Sequence, residues 1–205
     1  MNFVLLLESI VLIVLYMTST RPFDKPIPKS PASPYPIVTD FCDIVSGFGR
    51  GSAELGIPTA NIPIDQIPTA AKDLEQGVYF GFARIQPIGK EERTEPRENH
   101  RDVEYNYGKY LEESNGDFDV LPVVFSIGSN PFYHNKHRTL EIHVIHKFKR
   151  DFYGAKLKFN ILGYIRPELD YISADALITD INKDIIIAKR VLETDEYKKF
   201  MQVLS

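Results

Sequence analysis

Within residues 139–146, Thr-Leu-Glu-Ile-His-Val-Ile-His, polar and apolar positions alternate from Thr139 to Val144. A period of two residues is that of a strand with one face in a core, so Leu140, Ile142 and Val144 are predicted to point inward. Thr139, Glu141, His143 and Ile145 then share the opposite face. Comparable strand signals run over 41–48, 77–85, 120–127, 139–148 and 156–164, separated by turn chemistry such as Gly128-Ser-Asn-Pro131 and Tyr153-Gly154. The region 62–76 carries Pro63 and Pro68 and is predicted to be a loop with at most one helical turn. A single long helical period follows. Ser173 suits an N-cap, and Leu177, Ile181, Ile185, Ala188 and Leu192 recur at three- and four-residue spacing, a stripe that must pack on the strands. Strands with turn signals and no intervening long helices predict a mainly β fold, a closed antiparallel Greek-key-like barrel of about six strands with a C-terminal helix packed on it.

Three stretches fall outside this pattern. Residues 3–17 are an apolar run interrupted by Glu8 and Ser9, with Arg21, Lys25 and Lys29 after it. It is shorter than the roughly 20 residues a bilayer span needs. No basic N-region or small-residue cleavage site precedes Arg21, so 1–20 is expected to be a membrane anchor or organelle-targeting segment rather than a secretory signal. Attachment at the mitochondrion or endoplasmic reticulum, or otherwise a cytoplasmic protein, is the corresponding expectation for location. Residues 21–36 hold six prolines and are predicted to be an extended linker before the domain at 37–205. Residues 90–119 carry ten acidic side chains against five lysines and arginines, and are expected to form an exposed, partly disordered insertion.

Composition narrows the partners. The 205-residue chain is 43% hydrophobic and 25% charged, with a formal net charge of -4, so no basic surface for nucleic acid is expected. Cys42 is the one cysteine, which excludes an intrachain disulfide and suits a buried position in the first strand. The length suggests one domain and a monomer, with no room for a second nucleotide-binding α/β domain.

The candidate chemistry lies in 47–61. Four glycines, Gly47, Gly49, Gly51 and Gly56, fall within ten residues around Arg50 and Ser52. Such backbone lets consecutive N–H groups converge on phosphate oxygens. The spacing is neither that of the P-loop nor that of the dinucleotide fingerprint. The loop runs into Pro58, then Thr59 and Asn61, short neutral oxygen ligands of the kind Mg²⁺ accepts beside phosphates and water. A glycine-rich turn capped by Thr59 and Asn61 is the alternative. Glu141, facing away from the core, could take a hydroxyl proton, or could be a solvated surface carboxylate. His143 and His146 face opposite sides of their strand and suit structural hydrogen bonds better than a shared ion. His134 and His137 sit in a polar loop and are expected to be solvated.

Gly-Phe-Gly-Arg-Gly-Ser52 followed by Leu-Gly-Ile-Pro-Thr-Ala-Asn61 resembles the signature of the eukaryotic riboflavin kinases. Gly77-Val-Tyr-Phe-Gly-Phe-Ala83, Ser126-Ile-Gly-Ser-Asn-Pro-Phe-Tyr133, Glu141-Ile-His143, Asp151-Phe-Tyr-Gly154 and Tyr164-Ile-Arg-Pro-Glu168 extend it, so that it covers roughly 41–192. The resemblance implies ATP-dependent phosphorylation of riboflavin at the ribityl 5′-hydroxyl, giving FMN and ADP. It implies Glu141 as catalytic base, Thr59 and Asn61 as ligands of Mg²⁺ (with Zn²⁺ as the other candidate), and Gly47, Gly49, Arg50, Gly51 and Ser52 as the nucleotide loop. Arg166 would belong to a flap over substrate; an ion pair at the strand end, with Glu168, is the alternative. Ser129 departs from the pattern, standing where relatives carry tryptophan. A non-catalytic membrane-tethered flavin-binding protein and a flavin oxidoreductase are the competing functions. Thr59, Asn61 and Glu141 together speak against the carrier, which needs neither metal nor base.

Overall fold

A computed structural model of the chain describes residues 26–47, 56–96, 102–129 and 138–205. The apolar run 3–17, most of the glycine loop, and His134 and His137 lie outside the described residues. Among the described residues no helix is long and apolar enough to cross a membrane.

The architecture is an antiparallel sheet built from β1 (Ile37–Val38), β2 (Cys42–Asp43), β3 (Ala60–Ile62), β4 (Gly77–Gln86), β7 (Leu121–Ser129), β8 (Arg138–Val144) and β9 (Lys156–Arg166). Its order is β1-β9-β4-β7-β8-β3, with β2 also pairing β9, so β9 returns beside β4 and β3 beside β8 in a Greek-key-like course. The strands predicted over 77–85, 120–127 and 156–164 are present within two residues of their expected ends, β8 stops at Val144 short of the expected 148, and of the strand expected over 41–48 only Cys42–Asp43 forms, with Val45 in an isolated bridge. The expected closed barrel is corrected: the sheet does not close as a ladder. β1 and β2 are two residues each and β3 only three, so the two margins meet through one isolated bridge, Val45 with Asn61. Val45 N–H donates to the Asn61 carbonyl at 2.9 Å there.

The sheet separates two cores. The inner one holds Tyr79, Phe125, Phe159, Leu140 and Ile142, together with Cys42, which is buried in β2 as expected. The outer one joins Phe80, Phe82, Val124 and Leu162 to Ala188 and Leu192 of the long helix and to Tyr197. β4 is buried on both faces, which is why its sequence runs almost unbroken in apolar residues instead of alternating. Gly81 lets β9 pass close by: a β-carbon there would overlap the Asn160 carbonyl.

Two short helical turns, a 3-10 turn at Ile64–Gln66 and α1 (Thr69–Lys72), interrupt the predicted loop 62–76, one more than expected, with Arg138 donating to the carbonyls of Lys72 and Leu74 at the end of α1. The long helix α2 (Ala174–Leu192) begins where predicted, Ser173 Oγ accepting from Ala176 N–H at 3.2 Å. Its buried face differs in part from the predicted stripe. Ala188 and Leu192 are buried and Ile185 packs beside them, but Leu177 and Ile181 are only half-buried. The buried positions of the first half are Asp180 and Asp184. Both have partners: Asp184 meets Arg166 Nη2 at 2.8 Å, and Asp180 accepts from Tyr171 at 3.2 Å and Lys183 at 3.1 Å.

Two segments are better packed than their composition suggested. The described part of the proline-rich stretch is not a free tether. Ile27 packs on the outer core, Tyr197 donates to the Pro28 carbonyl at 3.0 Å, and the Tyr35 ring meets Tyr79 edge-on at 6.5 Å. Prolines lower the entropy lost when such a segment docks. The acidic segment 90–119 is likewise ordered where described. β5 (Arg93–Glu95) pairs with β6 (Val103–Tyr105), Val103, Tyr105 and Tyr107 form a small core, and Asn106 and Asp117 are buried.

Candidate active site

Three neighbouring strands carry a row of polar side chains across the outer surface. In register, Asn61 of β3 pairs with Glu141 of β8, and Glu141 pairs with Ser126 of β7. Burial along β8 alternates as the sequence predicted, with Leu140, Ile142 and Val144 inside and Glu141 and His143 partly exposed. Thr59, two residues before Asn61, lies on the same side, and its hydroxyl donates to Glu141 Oε2 at 3.0 Å. The structure therefore brings Thr59, Asn61 and Glu141 together.

Gly47 closes it on one edge. A β-carbon there would stand 2.5 Å from Asn61 Nδ2, so the Asn61 carboxamide lies directly against the start of the glycine loop. Gly49, Arg50, Gly51 and Ser52 lie outside the described residues. At the other end of the row Ser126 Oγ donates to Glu168 Oε1 at 3.4 Å. Burial, and to a smaller degree the Glu141 charge, pushes the Glu168 carboxyl above its ordinary range, against the pull of Ser126 and Arg166.

Arg166 stands apart from Thr59, Asn61 and Glu141 in its contacts. It ends β9, is buried, and forms a two-pronged pair with Asp184, Nε reaching Oδ2 at 2.9 Å and Nη2 the same oxygen at 2.8 Å. Its Nη1 donates to the Pro167 carbonyl at 3.0 Å. The ion-pair alternative is the one observed, with Asp184 in place of Glu168 as partner. A single sequence offered no sign of this, because Asp184 reads as an ordinary polar helix position.

The two histidines among the described residues, His143 and His146, are held by separate partners. His143 Nδ1 bonds the Pro58 carbonyl at 2.9 Å, next to Thr59, and since a carbonyl only accepts, Nδ1 carries the proton. Burial pulls the His143 pKa below 6.5, outweighing the opposite effect of Pro58. His146 bonds Asp117 Oδ1 through Nε2 at 2.9 Å. Burial pushes the Asp117 carboxyl up, but the Glu112 N–H, Asn115 and His146 together hold it below the ordinary carboxylate range. Asp117 was not singled out from the sequence, where it is one acidic residue among ten.

A cavity of about 280 Å³ opens beside Thr59. Pro58 and Thr59 form one side, and residues 146–153, including Phe148, Phe152 and Tyr153, form the other. As for a metal, Thr59, Asn61 and Glu141 bring together a hydroxyl, a carboxamide and a carboxylate, a hard oxygen set that fits Mg²⁺ completed by phosphate and water. Among the described residues no three His, Cys, Asp or Glu side chains gather as a self-sufficient metal site. Zn²⁺ prefers nitrogen and sulfur, and among the described residues the two histidines are already engaged, at Pro58 and Asp117.

An antiparallel sheet that brings a carboxylate together with a hydroxyl and a carboxamide offers the donor chemistry on which metal-assisted phosphoryl transfer relies. The chain matches the family model described as riboflavin kinase over residues 39–192. It is 60% identical to the riboflavin kinase of Candida glabrata over 91% of this chain and 98% of that one. It is 59% identical to that of Saccharomyces cerevisiae over 91% and 86%, respectively. The crystal structure of riboflavin kinase from Trypanosoma brucei aligns with a TM-score of 0.56 at 25% identity, covering 83% of this chain and 88% of that one. The chain belongs to the riboflavin kinase family.

Proposed function

We propose that this chain transfers the terminal phosphoryl group of ATP to the ribityl 5′-hydroxyl of riboflavin, releasing FMN and ADP. The observation that carries the reading is the hydrogen bond from Thr59 to Glu141, with Asn61 paired alongside in register. Phosphoryl transfer needs positioned phosphates, charge neutralisation and a group that orients the acceptor hydroxyl, and little else from the protein.

In this reading Glu141 accepts the proton of the riboflavin hydroxyl as its oxygen attacks the γ-phosphorus and the bond to the ADP oxygen breaks. One carboxylate oxygen takes the Thr59 proton donor and leaves the other for substrate. Thr59 Oγ1 and Asn61 Oδ1 would hold Mg²⁺, which would supply neutralisation of the phosphate charge. Gly47, Gly49, Arg50, Gly51 and Ser52 cradle the phosphates through backbone N–H groups. The cavity beside Thr59 takes the nucleoside, its aromatic rings Phe148, Phe152 and Tyr153 supplying the apolar and stacking surface a purine requires. Riboflavin enters from the opposite end of the row, toward Ser126, Glu168 and the half-buried Leu177 and Ile181 of α2, which packs on β7. Arg166 acts by tying β9 to α2 through Asp184, not as a nucleotide ligand. The chain works as a monomer, and any membrane attachment resides in residues 3–17.

The test is ADP release by the purified chain with Mg-ATP, with and without riboflavin, and with no NADH present. Release that depends on riboflavin and yields FMN supports the reading. Flavin binding without ADP release would leave a carrier.

A further inference from the structure

The cavity wall formed by 146–153 is held from behind, almost residue by residue, by the acidic segment. His146 Nε2 donates to Asp117 Oδ1 at 2.9 Å, and Asn115 Nδ2 donates to the Lys147 carbonyl at 3.1 Å. Lys149 Nζ meets Glu112 Oε2 at 2.6 Å; Arg150 pairs with Glu104 at 3.3 Å and lies 4.1 Å from the centre of the Tyr110 ring. Asn106 Nδ2 donates to the Asp151 carbonyl at 2.6 Å, and Tyr107 N–H to the Tyr153 carbonyl at 2.9 Å. Phe148 and Phe152, whose rings stack edge-on at 4.6 Å, pack instead against the inner core.

These contacts differ in strength. The lysine and arginine pairs are exposed and contribute little individually. Asp117 and Asn106 are buried, with Asp117 also accepting from Glu112 N–H at 2.8 Å and Asn115 Nδ2 at 2.7 Å. A buried, fully bonded carboxylate fixes both the rotamer and the tautomer of the imidazole it accepts from.

We propose that residues 104–117 are the frame of the nucleotide cavity, with Asp117 a positioning residue that sets nucleotide affinity by holding His146 and the 146–153 wall in place. The segment is thus a working part of the site instead of a solvated insertion. This rests on the cavity beside Thr59 being the nucleotide site. It adds that the chain's affinity for a nucleotide is determined partly by side chains that never touch it.

The experiment titrates Mg-ADP and, separately, riboflavin into the full chain and its variants by calorimetry. Asp117→Asn keeps the volume but cannot accept from both Glu112 and Asn115. It is expected to raise the Kd for Mg-ADP about tenfold while riboflavin affinity stays within about twofold. His146→Ala has a similar effect, and the double variant is no worse than either single one, because both act through one contact. Additive losses, an unchanged Kd for Mg-ADP, or equal loss for both ligands would each overturn the proposal. Should Asp117→Asn fail to fold, Asn115→Ala, which removes the bond to Lys147, tests the same frame. Its expected effect is about threefold on Mg-ADP alone, and no effect overturns the proposal. Wild-type protein that lacks riboflavin-dependent ADP release sinks the kinase reading instead, whatever the variants do.

Discussion

Gly47 and Asn61 lie so close that the Asn61 side chain occupies the space a β-carbon on Gly47 would need. The clash would fall on Nδ2, the end of a side chain able to swing, so Gly47→Ala should displace the carboxamide without unfolding the sheet. If Asn61 Oδ1 holds Mg²⁺, the variant loses metal affinity more than stability. A rise of about tenfold in the Mg²⁺ concentration for half-maximal ADP release is expected, with a melting temperature lower by only a few degrees. Unaltered Mg²⁺ dependence in a folded Gly47→Ala would remove Asn61 from the metal site.

Glu141→Gln isolates the proton-accepting role. The amide still offers an oxygen to the Thr59 hydroxyl, so the hydrogen bond at 3.0 Å in the wild type has a replacement. What is lost is the base. ADP release should fall by about 10²–10⁴-fold, the usual worth of a positioned base, while riboflavin binding by fluorescence quenching changes by less than about twofold. A variant with near-normal turnover would show that Glu141 only orients.

Thr59→Ala should raise the Mg²⁺ requirement about tenfold and Thr59→Ser should restore it, since the ligand is the hydroxyl and not the methyl group. Turnover at varied Mg²⁺ with saturating ATP is the measurement.

The outcome for Glu141 was readable because a strand's parity is set by its neighbours: Leu140 and Ile142 must face the core, and Glu141 has no other direction to point. The Ser173 cap was legible for the same local reason. What stayed hidden are side chains whose meaning depends on a distant partner. Asp184 looks like the polar face of α2 until Arg166 is seen to end β9 against it, eighteen residues earlier. Asp117 is invisible among ten acidic residues until His146 arrives from β8's far end. The segment around it reads as solvated because acidic residues dominate 90–119, although Val103, Tyr105 and Tyr107 within it supply a core of their own.

The Arg166–Asp184 pair makes a prediction about stability. Both side chains are almost fully buried, 8% and 2% exposed, so removing one partner strands the other charge in a poorly solvated place. Asp184→Ala should cost about 3–5 kcal/mol, and Arg166→Met combined with Asp184→Leu should recover much of that loss. Urea unfolding of the three proteins is the check. A double variant no better than Asp184→Ala would mean that the pair's geometry, and not its charge balance, holds α2 to the sheet.

His143 gives the chain a pH dependence with a definite sign. Its folded pKa lies below 6.5 because burial disfavours the imidazolium, while in the unfolded chain it returns toward that value. As pH falls through 6.5 the unfolded chain takes up a proton that the folded one declines, so stability drops, and the loss levels off only below the folded pKa. The neutral ring keeps Nδ1–H on the Pro58 carbonyl, beside Thr59, so the same contact steadies the site. Gln at this position can donate to Pro58 but does not titrate. The urea midpoint should therefore fall between about pH 7.5 and about pH 5.5 in the wild type, and fall by clearly less in His143→Gln. Equal slopes in the two proteins would place the titrating group elsewhere.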